Sequence, residues 1–205
     1  DQTAVSNATI ALNEAVETFK KAVVPDEVDD GAPKLEALDE TKNDILFHND
    51  FNKADGLDIQ GEAKLENGVV TMDNNGYINL GSDMLKNKKD ITIEFVINPS
   101  KLVDNIGIMG LGAEEENWWL LGSMADGALK FGMKTNGTEI GERSSAKTDA
   151  GILKIGEWTV VKYVITETSV TVFADGKQLE SWDITGQKTM GEIPGDFVFG
   201  KQLKR

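Results

Sequence analysis

The chain has no cysteine, a single histidine and, across 205 residues, no apolar run approaching a membrane span. Each shortage excludes something. Without cysteine there is neither a disulfide framework nor a thiolate metal site. One histidine, His48, leaves little room for a Ser–His–Asp arrangement; it stands in an alternating stretch and reads as an ordinary strand residue. A spanning helix needs about 20 consecutive apolar residues, so no membrane insertion is expected. Basic residues are few as well: 21 Lys and Arg against 35 Asp and Glu, a net charge of −14. Nucleic acid would demand a Lys/Arg footprint on its phosphates, so no such partner is expected. The acidic balance reads as solubility through like-charge repulsion. The chain opens on DQTAVSNA, which has neither a basic n-region nor an apolar h-region. It is expected to be a mature fragment or a cytosolic protein.

What is present divides into three stretches. Residues 1–24 read as an amphipathic helix. Val5, Ala8, Leu12, Ala15, Val16, Phe19, Ala22 and Val23 recur at three- and four-residue spacing and make one apolar stripe. Pro25 ends it. Residues 25–44, PDEVDDGAPKLEALDETKND, are an acidic linker holding two of the four prolines; solvated charge and proline favour an extended connection. From residue 45 to 205 the period is that of strands. ILFHNDF alternates at 45–51, and ITIEFVI at 91–97 carries apolar residues at every second position. Asn67-Gly68, Asn136-Gly137 and Asp175-Gly176 each separate two alternating runs, the strongest short hairpin signal. Short strands every 8–12 residues with glycine-centred turns predict an all-β sandwich or barrel.

The most regular stretch is 158–183, WTVVKYVITETSVTVFADGKQLESWD. Trp158 opens its first strand and is expected in the core. This block, with the preceding YINLG and ITIEFVINP segments, resembles the laminin-G-like, concanavalin-A-like lectin/glucanase domains and their W-x-x-V…V-x-L-Y-V-D-G-K-x-V pattern. The resemblance implies a jelly-roll sandwich of two antiparallel sheets over 45–205, carrying one N-terminal α-helix. It also implies a further strand after FVFGK that pairs with the opening strand, so the sandwich is expected to lack its last strand. The helix itself, ATIALNEAVETFKKAVV, resembles the closing helix of the FIVAR-type modules of bacterial cell-wall proteins and glycosidases.

Glucanases of this fold carry E-x-D-x-x-E or E-x-D-x-E on a strand, which sets two carboxylates about 5–5.5 Å apart. Here the one E-x-D is Glu27-Val-Asp29, in the linker, with no following Glu. Catalysis is therefore not expected of this fragment. A sugar site needs aromatic faces and planar polar groups. Trp118 and Trp119 are adjacent and point to opposite faces of a strand. With Lys130, Lys134, Glu142 and Arg143 on neighbouring strands they form the candidate ligand-binding set, its cations hinting at an acidic glycan. The resemblance also implies a structural calcium ion, with Asp50, Asp55, Asp73 and Asn75 as candidates by residue type. The expected function is a non-catalytic carbohydrate-binding or adhesion module of a larger extracellular or cell-surface bacterial protein, a glycoside hydrolase by preference. Its partners would be a glycan and the other domains of that protein. The alternative is a structural spacer supporting a catalytic neighbour.

Overall fold

A computed structural model describes residues 31–35, 38, 44–54, 56–73, 75–114, 117–141 and 145–200. The expected N-terminal helix lies outside them, as does most of the linker. The described part is built from strands and one short 3-10 turn, Met190–Glu192. The strands are β1 (Asp58–Gln60), β2 (Lys64–Glu66), β3 (Val69–Thr71), β4 (Tyr77–Asn79), β5 (Ile91–Ile97), β6 (Ile106–Glu114), β7 (Asn117–Ser123), β8 (Leu129–Thr135), β9 (Thr138–Ile140), β10 (Thr159–Ile165), β11 (Ser169–Ala174), β12 (Lys177–Asp183) and β13 (Phe197–Phe199).

They form a seven-stranded sheet in the order β1-β4-β13-β6-β7-β8-β9, a four-stranded sheet β12-β11-β10-β5, and the separate hairpin β2-β3. Every pairing is antiparallel. The two large sheets face each other. Phe95 of β5 meets Phe199 of β13 edge-on with ring centroids 5.2 Å apart, and Trp182 of β12 stacks on Phe131 of β8 at 5.7 Å. Alternation then decides which side chains are inside. On β10 these are Val161, Tyr163 and Ile165, all at 0 % exposure, and on β11 Val170 and Val172. Each such aliphatic side chain contributes about 1.5–3 kcal/mol through burial.

The three hairpin turns form as their sequences dictate. Asn67 and Gly68 have φ of 52° and 77°, Asn136 and Gly137 51° and 71°, Asp175 and Gly176 47° and 76°. Two successive positive φ values match type I′, whose twist suits the flanking strands.

Two expectations fail. Residues 45–51 form no strand, and Leu46 and Phe47 are exposed. The side chains of Asn49 and Asp50 accept the backbone N–H groups of Phe51 and Asn52 at 2.7 and 3.0 Å, and Phe51 turns to a φ of 62°. These local bonds compete with a strand ladder. Trp158 precedes β10 and is half-buried rather than core. It falls in the register of Val160 and Lys162, which face away from the opposite sheet.

Candidate functional site

The outer face of the seven-stranded sheet follows from register. Ile78 pairs with Phe199, which points at the other sheet, so the neighbours of Ile78 along β4, Tyr77 and Asn79, point outward. One row runs across six strands: Asp58, Asn79, Val198, Gly110, Leu120 and Gly132. A second, shorter row joins Trp118, Lys134 and Glu139. Gln60 sits opposite Tyr77.

The middle of this face is closed. Val198 and Leu120 expose 2 % and 4 % of their surface, and Trp118 only 6 %. A Cβ placed on Gly132 would lie 3.2 Å from the Trp118 ring. The indole therefore lies against bare backbone on the outer face, and glycine at 132 is what admits it. Lys130 runs its stem past Gly122 and its Nζ donates to Asn105 Oδ1 at 2.6 Å; only 4 % of the residue is exposed. Lys134 and Glu139 are half-buried. Accessible polar groups gather at the β1–β4 end instead: Asp58 and Asp196 are exposed, and Gln60, Tyr77 and Asn79 half-buried.

The expected ligand-binding set is thus divided. Trp118, Lys130 and Lys134 share the outer face. Trp119 lies on the inner face, 2 % exposed and 5.2 Å from the Phe131 ring, where it belongs to the core. Glu142 and Arg143 lie outside the described residues. Sequence reasoning missed Asp58, Gln60, Tyr77, Asn79 and Asp196. Asp58, Gln60, Tyr77 and Asn79 lie on strands three residues long and Asp196 just precedes another, too short for alternation to announce a face; only the pairing shows it.

Of the calcium set, Asp50, Asp73 and Asn75 are among the described residues. Asp50 spends its carboxylate on Asn52, accepting from the backbone N–H at 3.0 Å and from Nδ2 at 2.9 Å. The backbone N–H of Asn52, above other causes, holds its carboxyl below the ordinary range. Asp73 pairs with Lys101 at 3.4 Å, and Asn75 is an exposed turn residue. Among the described residues no three His, Asp or Glu are grouped to hold a metal; Asp55 lies outside them.

Nor do the shifted carboxylates suit proton donation. Asp50, Asp126 and Glu192 are all lowered, chiefly by backbone N–H donors, and Asp183 by the Thr185 side chain and backbone. A general acid at neutral pH requires the opposite shift.

Comparison with known proteins agrees with this architecture. Domain 4 of AbnA, an extracellular GH43 arabinanase from Geobacillus stearothermophilus solved in complex with arabinotriose, is similar with a TM-score of 0.51 at 13 % identity, covering 73 % of this chain and 68 % of that one. The receptor binding domain of botulinum neurotoxin D also has a TM-score of 0.51, at 14 % identity over 70 % of this chain and 39 % of that one. The CBM40 of the Ruminococcus gnavus IT-sialidase, solved with α2,3-sialyllactose, reaches 0.48 at 12 % identity over 62 % and 75 %. No curated protein matches the chain. The laminin-G model of the concanavalin A-like lectin/glucanases superfamily matches residues 72–202, which takes in β4 to β13 and most of both sheets, and the chain therefore belongs to that superfamily.

Proposed function

We propose that the chain is a non-catalytic glycan-binding module, carried by a larger extracellular or cell-surface bacterial protein. One observation carries the reading: the outer face of the seven-stranded sheet ends in polar side chains on both flanks, Asp58, Gln60, Tyr77 and Asn79 on one and Lys134 and Glu139 on the other. Hydrogen-bonding side chains at the edges of a sheet floor supply what sugar hydroxyls require. The likeness to a domain solved with arabinotriose supports it. Because the floor is closed at Leu120 and Val198, contact falls to the flanks rather than to a stacked tryptophan.

The test is a glycan array probed with the full chain, followed by calorimetry on every hit. Binding of at least one oligosaccharide, unchanged in length after incubation, is expected. Silence across host and plant glycans, with and without calcium, would overturn the reading. A second reading, a spacer that supports a neighbouring domain, is favoured by one finding: none of the four tryptophans is exposed, since Trp118 and Trp119 are buried and Trp158 and Trp182 half-buried. It gains if the array is silent and deletion of the module destabilises its neighbour.

A further inference from the structure

The β1–β4 end of the sheet carries a more specific arrangement than the proposed function needs, and the following rests on that function. We infer that Asp58, Gln60, Asn79 and Asp196, beside Tyr77, form the sugar-contacting subsite, and that it selects neutral glycans over acidic ones. Cross-strand pairing sets Asp58 opposite Asn79 and Gln60 opposite Tyr77 on one face. The four polar side chains are held in two hydrogen-bonded pairs. Gln60 Nε2 donates to Asp58 Oδ1, and Asn79 Nδ2 donates to Asp196 Oδ2 at 3.1 Å. Asn79 Oδ1 in turn accepts the backbone N–H of Gly81 at 2.8 Å, so the amide that positions Asp196 is itself fixed. A set whose orientations are already bound loses less freedom on meeting a ligand.

What this set offers is acceptors. Asp58 and Asp196 are exposed, and each uses one carboxylate oxygen within the group. Neither is in an ion pair among the described residues. Ionised carboxylates accept hydroxyl donors strongly, and vicinal sugar hydroxyls are such donors. The same two charges oppose a carboxylate on the ligand. In water a charge about 6 Å from a bound anion weakens it roughly threefold, so two should discriminate by about tenfold. Among the described residues the lysines of the candidate set do not reverse this: Lys130 is buried on Asn105 and Lys134 stands opposite Glu139. The acidic-glycan preference suggested by the lysine content is therefore replaced by its opposite. Among the described residues these carboxylates belong to no group of three His, Asp or Glu placed to hold a metal.

The experiment is calorimetry of the full chain with arabinotriose, other neutral oligosaccharides found on the array, 3′-sialyllactose and a uronic-acid oligosaccharide. The double variant Asp58→Asn/Asp196→Asn and the control Glu94→Gln, on the outer face of the other sheet, are titrated alongside. Both substituted aspartates are exposed, and an unchanged melting temperature would show the fold intact. Neutral ligands should bind at least about tenfold tighter than acidic ones and be little affected by salt. The double variant should weaken them about tenfold or more, with Glu94→Gln unchanged. If acidic glycans bind tighter, or the double variant binds as well as the parent while Lys134→Ala does not, the subsite is wrong and the glycan-binding reading stands. If no sugar binds at all, both fall.

Discussion

Two polar atoms in the core, the Trp119 indole Nε1 and the Tyr163 hydroxyl, are buried with no hydrogen-bond partner among the described residues. Desolvation alone drives the Tyr163 hydroxyl pKa upward, so that residue stays neutral at any working pH. An unsatisfied buried hydroxyl costs about 1–3 kcal/mol. Tyr163→Phe is therefore expected to raise stability by about 1 kcal/mol, read as a higher urea midpoint at unchanged slope; a loss of that size would mean the hydroxyl has a partner. Gly132 is the other decisive residue. A methyl there would meet the Trp118 ring at 3.2 Å, so Gly132→Ala should displace the indole and shift tryptophan emission to the red. Emission identical to the parent would show that the ring does not rest on that backbone. The opposite faces of Trp118 and Trp119 could be read from their adjacency in the sequence. Which of them is core could not, because that depends on the partner sheet and its Phe131.

At the scale of elements, the hairpins were the most legible part. Asn-Gly and Asp-Gly specify positive φ at two successive positions, and local chemistry suffices for that. Gly176→Ala, at a φ of 76°, should cost about 1–2 kcal/mol, measured by denaturant unfolding. The strand expected at 45–51 illustrates the converse. Alternation there was real, but a strand needs a neighbour, and the Asx-type bonds of Asn49 and Asp50 took the backbone first. The 3-10 turn Met190–Glu192 is held at its start by Glu192, which accepts the Thr189 backbone N–H at 2.8 Å and its hydroxyl at 3.1 Å. Those bonds, the backbone one first, lower the Glu192 pKa. A depressed carboxyl contributes stability that is present above its unfolded pKa and lost as pH falls through the folded value. Stability should thus decline below about pH 4.5. The decline should be shallower in Glu192→Gln, as followed by denaturation midpoints across that window. An identical pH slope in the variant would contradict the cap.

For the whole molecule, the superfamily sandwich was legible because long strands repeat their period often enough to be read. β5 occupies the residues that alternation marks out, Ile91–Ile97, and β10 and β11 pair in register through Val161 and Ala174 to Ile165 and Val170. The candidate site was legible only in part. Lys134 and Trp118 share the expected face, but the polar flank at Asp58, Gln60, Tyr77, Asn79 and Asp196 is assembled from short segments distant in sequence. Only the sheet order β1-β4-β13 brings them together. The central claim is that glycan meets the outer face of the seven-stranded sheet. Backbone amide shifts recorded while arabinotriose, or the strongest neutral ligand from the array, is titrated into the labelled chain test it most directly. The largest changes should fall on Asp58, Gln60, Tyr77, Asn79 and Asp196, with Thr92, Glu94, Lys162 and Thr171 on the outer face of the other sheet unmoved. Changes concentrated on that second group, with the first unmoved, would contradict it.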